Sequence, residues 1–259
     1  MTSEYDRELI YIDDKNDLDS NLTELNAYNA AERGFLSHSD WAGHIQRYGH
    51  ILKQVQKRKP NTILDIGCGN MNLINFLSRN RTSFHGLYVG VDLKAKESWL
   101  EDITWKGHIH LYVLDVVNSD KMLLEPADMV ICTETFEHVP RDYQMELMER
   151  LYYWTNEGGV CLFSTPNAGV AKSTADNHQG DDGIRERTYD EKIEMAEAVG
   201  FTMTRSWGTF CGSTRLPKEF LELPHIAKMK EFLMDAMFVS TVSAAFPRES
   251  NNALMELEK

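Results

Sequence analysis

The chain has 259 residues, 42% of them hydrophobic, and a formal net charge of −13. That length suits one large domain with trimmings, and no apolar run approaches the roughly 20 residues needed to cross a bilayer. The opening Met1-Thr2-Ser3-Glu4 is polar and acidic, unlike a signal peptide, and the negative field argues against a broad nonspecific nucleic-acid surface.

Residues 1–38 read as an acidic N-terminal arm, with Asp13-Asp14 and Asp17-Leu18-Asp19, and 39–259 as the domain proper. Ser39-Asp40 offers an N-cap, and Ile45, Tyr48, Ile51, Leu52 and Val55 recur at helical spacing up to Lys57, with Pro60 ending the helix. Ile63-Leu64-Asp65-Ile66 is the first core strand. It runs into the turn Gly67-Cys68-Gly69 and a helical stretch from Asn72 to Leu77. Strands follow at Tyr88–Asp92, Ile109–Asp115 and Asp128–Thr133, then a helix from Asp142 to Trp154 that Gly158-Gly159 is expected to terminate. Val160–Ser164 is a strand, Asp190–Val199 a helix closed by Gly200, Phe201–Phe210 a strand and Ala253–Glu258 a last one. Strand alternating with helix implies a doubly wound α/β sheet covered on both faces. An insertion at about 214–245 interrupts the final pair of strands. Its Met and Phe stripe suits core packing, a lid or a homodimer surface.

The four cysteines, Cys68, Cys132, Cys161 and Cys211, form no Cys-x-x-Cys pair. They read as small buried side chains in a reducing cytoplasm, not as a zinc knuckle or a redox dithiol.

The chemistry concentrates at strand ends. A Gly-x-Gly turn after a buried strand lets the backbone bend tightly and lie against a ligand. Asp65, Asp92, Asp115 and Glu134 then stand at the carboxyl edges of four strands, which face one side in such a sheet. A carboxylate after the second strand is placed to accept hydrogen bonds from both ribose hydroxyls. A nicotinamide dehydrogenase would need a third glycine where Asn72 stands.

The segments Leu64–Gly69, Val89–Asp92, Leu114-Asp115-Val116, Glu134–Val139 and Ser164–Asn167 together resemble class I S-adenosylmethionine-dependent methyltransferases, over about residues 40–210. The resemblance implies a Rossmann-like, doubly wound sheet of seven strands, mostly parallel with an antiparallel last strand. By it, Asp65, Gly67 and Gly69 hold the methionine moiety, Asp92 the ribose, and Asp115 and Val116 the adenine. Cys68, Leu93 and Thr133 are further expected cofactor contacts. One departure is Met71, where the family often has another glycine. Glu134-x-x-Glu137-His138 resembles the motif of ubiquinone-biosynthesis O-methyltransferases and small-RNA 2′-O-methyltransferases. That resemblance implies a divalent metal, Mg²⁺ or Mn²⁺, on Glu134, Glu137, His138 and His178. The alternative is that Glu137 and His138 make structural hydrogen bonds. Glu134 and His138 are the expected catalytic pair, with His138 a general base where no metal acts.

The leading expectation is O-methylation of a small-molecule acceptor, favoured over nucleic acid by the acidic charge. Metal-assisted 2′-O-methylation of RNA and a noncatalytic cofactor-binding regulator are the alternatives. The Asn/Asp-Pro-Pro-Tyr/Phe motif of base-amine methylation is absent, and no Pro-Cys pair supports cytosine C5 chemistry. Trp41, Tyr48 and Trp207 are aromatic candidates for the acceptor pocket.

Overall fold

The computed structural model describes residues 7–11, 41–80, 84–101, 103, 105, 107–170, 179–180, 183–209 and 211–259. The strands in chain order are β1 (Arg7–Tyr11), β2 (Thr62–Ile66), β3 (Leu87–Asp92), β4 (His108–Val113), β5 (Ala127–Thr133), β6 (Thr155–Pro166), β7 (Gln179–Gly180), β8 (Gly183–Ile184), β9 (Thr202–Thr209) and β10 (Asn252–Glu258). The helices are α1 (Trp41–Arg58), α2 (Asn72–Arg79), α3 (Ser98–Glu101), α4 (Gln144–Trp154), α5 (Tyr189–Val199), α6 (Lys218–Leu221), α7 (Pro224–Phe232) and α8 (Asp235–Ser243).

One eight-stranded sheet runs in the order β1-β4-β3-β2-β5-β6-β10-β9. Strands β1 to β6 are parallel, and β10 is antiparallel to both neighbours, as expected for the last strand. The strand count is corrected from seven to eight. Five residues of the expected acidic arm, Arg7–Tyr11, pair parallel with β4 at the sheet edge. Arg7 anchors this edge, donating to the carbonyls of Leu100 (3.3 Å) and Trp105 (3.0 Å). So short an edge strand carries too little apolar alternation to stand out among acidic neighbours.

The central strands are apolar on both faces because helices cover both. Val130, Cys132, Cys161 and Phe163 pack with α4 and α5 on one side. Ile63, Met129, Ile131 and Leu162 pack with α1 and α2 on the other. All four cysteines are buried and free. Helix α5 starts at a capping box, Thr188 with Glu191, and ends where Gly200 takes φ 109°. The expected stop at Gly158-Gly159 is corrected: α4 already ends at Trp154, and the pair lies inside β6, bonded to Lys259. No described helix is long and apolar enough to cross a membrane.

Between β9 and β10 the insertion folds as α6, α7 and α8 around its own small core of Cys211, Leu216, Ile226, Phe238 and Val242. Helix α8 packs against α1, so the insertion sits at the end of the sheet where β6 and β9 finish. Helix α1 is also pinned over β9 and β10. The His50 ring lies 3.8 Å from that of Trp207, and His50 Nε2 lies 3.1 Å from Glu256 Oε1. Trp207 is thus committed to packing against α1.

The join between sheet and insertion is tight at Gly208. A Cβ there would overlap Ser250 Oγ and the Ser243 carbonyl, which is backbone and cannot swing aside. Gly208→Ala is expected to lower stability by about 1–3 kcal/mol, read as a shifted denaturant midpoint with an unchanged slope.

Candidate cofactor and active site

In chain order the strands after β2 go to one side (β3, β4) and then to the other (β5, β6), so a crevice opens at the carboxyl ends of β2 and β5. Two turns meet there. In the first, the Gly67 and Cys68 amides both donate to the Val91 carbonyl (2.8 and 3.0 Å), folding the chain back at once after β2. Gly67 takes φ 71° and Gly69 φ 52°, where a side chain is costly. Thr135, from the second turn, donates through Oγ1 to the carbonyls of Ile66 (3.2 Å) and Thr133 (3.3 Å) and fills the space where a Gly67 Cβ would stand. At Gly69 the opposite holds: among the described residues other than its two chain neighbours, no heavy atom lies within 4 Å of that position. Gly67 therefore serves close packing, and Gly69 leaves an open cradle. Met71 keeps the conformation expected of a glycine, with φ 63°, and buries its side chain completely.

Asp92 closes the rim. Its Oδ2 accepts from the Gly69 amide (3.1 Å) and Oδ1 from that of Lys94 (2.9 Å), while the adjoining Leu93 is half-buried. Asp65 is buried beneath the turn and accepts a hydrogen bond from the Tyr88 hydroxyl. Burial pushes the Asp65 carboxyl up to about 7; the Tyr88 bond pulls it down and the Asp92 charge adds to the rise. Cys68 is buried, and burial likewise raises its thiol well above the ordinary range, which suits packing and not nucleophilic work. Asp115 turns its carboxylate onto the next residues, with Oδ1 accepting from the Val117 (2.9 Å) and Asn118 (3.1 Å) amides and Oδ2 from Asn118 Nδ2 (2.7 Å). Val116, half-buried beside it, and Thr133, paired with Ser164 across the sheet, complete the row of strand ends.

Glu134 follows β5 with φ 56°, a left-handed conformation rare for its type. Its carboxylate is held from three directions. Asn252 Nδ2 donates to both oxygens (2.7 and 2.6 Å), Ser164 Oγ donates to Oε1 (3.2 Å), and Arg47 Nη1 lies 2.8 Å from Oε1. Arg47 is only 3% exposed. Its Nη2 contacts His44 Nδ1 at 2.8 Å. The Nη1 contact is a charge contact out of hydrogen-bond alignment, and Nε finds no acceptor among the described residues. Tyr48, one position on, has its hydroxyl pushed up to about 12 by burial, with Arg47 opposing and Asp65, Glu134 and Cys68 adding to the rise.

Glu137 and His138 lie on the short 3₁₀ turn Phe136–His138. Glu137 is buried and accepts from Thr165 Oγ1 (2.8 Å). The half-buried His138 receives Arg185 Nη1 on its carbonyl (3.2 Å). Gln144 fastens this turn: its Nε2 donates to the carbonyls of Phe136 (3.3 Å), Val139 (3.1 Å) and Arg185 (2.7 Å), while Oε1 accepts from Arg187 Nε (2.7 Å). Lys192, fully buried, points Nζ at the Thr165 (3.0 Å) and Pro166 (3.2 Å) carbonyls and at Asn167 Oδ1. Burial pushes its amine down to about 7, against the opposing pull of Glu134, Glu137 and Glu186.

The structure thus brings Asp65, Gly67, Cys68, Gly69, Asp92 and the Glu134–His138 turn to one crevice. His178 lies outside the described residues. Arg47, Gln144, Lys192 and Asn252 were missed from sequence, since each stands among other polar residues in a helix or at a strand start, where a solvated face is the usual expectation. The cradle and the buried guanidinium fit a cofactor that carries a carboxylate. The donor set fits a divalent metal poorly: both Glu134 oxygens are already engaged, and among the described residues no three His, Cys, Asp or Glu side chains are arranged to hold one.

A family model described as a methyltransferase domain matches residues 36–206. The chain is 25% identical over 152 residues to a ubiquinone biosynthesis O-methyltransferase from Hydrogenovibrio crunogenus, covering 56% of this chain and 61% of that one. It is 28% identical over 141 residues to a small RNA 2′-O-methyltransferase from Rattus norvegicus, covering 48% and 34%. It therefore spans less than two thirds of the length of these curated relatives. The fold is like that of magnesium protoporphyrin IX methyltransferase from Synechocystis PCC 6803, solved with bound SAH, at a TM-score of 0.57 and 13% identity, covering 90% of this chain and 94% of that one.

Two outcomes are expected. Gly69→Ala meets no atom, so it should fold with a loss of about 1–2 kcal/mol from its positive φ, yet weaken binding of S-adenosylhomocysteine in calorimetry by at least about tenfold, about 1.4 kcal/mol, because the new methyl fills the cradle. Asp65, raised from the ordinary carboxylate range to about 7, keeps a proton in the folded state that the unfolded chain has lost. Stability of the unliganded protein should then fall as pH rises from about 4 through 7, and Asp65→Asn should flatten that slope in denaturant titrations.

Proposed function

The chain belongs to the methyltransferase-domain family, and on that premise we propose that it methylates a hydroxyl oxygen of a small-molecule acceptor. The observation that carries this reading is the meeting of the two turns, where Thr135, just before the Phe136–His138 turn, packs on Gly67, two residues before the cradle at Gly69. S-adenosylmethionine, when bound, supplies a methyl on a sulfonium centre that leaves as a neutral thioether.

The protein's own part is placement and proton removal. Gly69 leaves room for the cofactor backbone, and Asp92 at the rim is placed for its ribose hydroxyls. Arg47, buried and with no acceptor for Nε among the described residues, suits its carboxylate. The bound cofactor would supply the methyl to the acceptor oxygen, its carbon–sulfur bond breaking as the carbon–oxygen bond forms. The hydroxyl proton would pass to an imidazole nitrogen of His138, the side-chain type that most often serves as a general base. The net charge of −13 supports a small acceptor over a polyanion. Likeness to two O-methyltransferases supports oxygen as the target atom. The insertion of α6, α7 and α8 stands at the same end of the sheet and is the natural wall of the acceptor pocket.

Incubation with methyl-labelled cofactor and fractionated metabolite and RNA pools tests this directly. Label is expected in a small hydroxylated compound. Label in RNA would move the assignment to ribose, and cofactor binding without label anywhere would favour a regulatory protein. His138→Ala is expected to lower kcat by about 10²–10⁴-fold with cofactor affinity unchanged, and Asp92→Ala to abolish cofactor binding.

A further inference from the structure

Resting on the methyl-transfer reading, we infer that Arg47 and Lys192 are built-in cations that stand where a divalent metal would be needed, so that the Glu134–Glu137–His138 site takes no metal. A divalent ion bound by carboxylates needs their oxygens at about 2.0–2.6 Å and several ligands besides. Here Glu134 Oε1 is met by Arg47 Nη1 at 2.8 Å, Asn252 Nδ2 at 2.7 Å and Ser164 Oγ at 3.2 Å, and Oε2 by Asn252 at 2.6 Å. Glu137 is 2% exposed and gives Oε2 to Thr165. Displacing these donors would strand a buried amide and a buried guanidinium, each of which is costly to leave unpaired.

Charge argues the same way. Arg47 meets Glu134 from α1, while Lys192, from α5, feels the charges of Glu134, Glu137 and Glu186 and bonds the end of β6. Three acceptors surround Lys192 Nζ. An ammonium offers three hydrogens to them, whereas a neutral amine would turn its lone pair on one, so the cage favours the charged form against the downward push of burial. Lys192 faces Glu134, Glu137 and Glu186, so two cations already serve three carboxylates. A further dication would meet both at close range in a medium that screens them weakly. Lys192 also holds Asn167, whose Nδ2 donates to the Pro247 (3.0 Å) and Ser250 (2.7 Å) carbonyls. The same cation thereby ties the end of β6 to the segment returning from the insertion, an ordering task that a metal performs in other sites.

The test uses the full chain, freed of metal by chelation, saturated with S-adenosylhomocysteine and titrated with Mn²⁺ to roughly 1 mM, with binding read by electron paramagnetic resonance. The expected result is no Mn²⁺ bound, or binding that Glu134→Gln leaves intact and that therefore lies elsewhere. One Mn²⁺ per chain, lost in Glu134→Gln, would overturn the inference. Should that variant not fold, Glu137→Gln gives the same comparison. Calorimetry of S-adenosylhomocysteine on the metal-freed chain, before saturation, keeps the two readings apart, because failure there overturns methyl transfer whatever Mn²⁺ does.

Discussion

The carboxylate of Glu134 joins pieces of chain that lie far apart in sequence. It sits just past β5, yet its partners come from α1 (Arg47), β6 (Ser164) and β10 (Asn252). A buried charge of this kind adds little net stability over an apolar substitute, but removing one partner leaves the others uncompensated. The strained left-handed backbone at Glu134 is held by those partners. With that anchor in place, Thr135 falls onto Gly67, and the Phe136–His138 turn follows directly after it. The glycine turn after β2 and the turn after β5 are therefore joined next to one ionic knot.

Around the knot, burial sorts the ionisable groups into distinct tasks. Asp65 lies beneath the turn with Tyr88 and has its carboxyl raised, so it favours the protonated, structural form. Asp92 stays at the rim, with its oxygens on backbone amides. Lys192 stays inside, in a cage whose three acceptors suit an ammonium. Met71 illustrates the same economy in the backbone. It accepts the positive φ that a glycine would take freely, at a cost of about 1–2 kcal/mol, and its fully buried side chain offsets that cost.

Much of this was legible before any coordinates. Parallel strands buried on both faces read as continuous apolar runs, and Ile63–Ile66, Tyr88–Asp92 and Asp128–Thr133 are such runs. The Gly67-Cys68-Gly69 turn and the cap pair Thr188 and Gly200 carry local chemistry that works the same way in any context. Arg47, Gln144 and Lys192 carried no such signal. Each is one polar residue in a helix, where the usual expectation is a solvated face. The strand Arg7–Tyr11 was hidden for a related reason, since an edge strand is defined by the partner it finds in β4.

The alternation of strand and helix, the glycine turn and the row of acidic strand ends follow from neighbours a few residues apart, and so stand written in the chain. Which of those acids are spoken for follows from long-range packing. Glu134 meets Asn252 across more than a hundred intervening residues, and Glu137 meets Thr165 on the adjoining strand. Whether a Glu-x-x-Glu-His motif offers open ligands to a metal or closed partners to internal cations depends on such long-range contacts. Spacing along the chain carries no record of them.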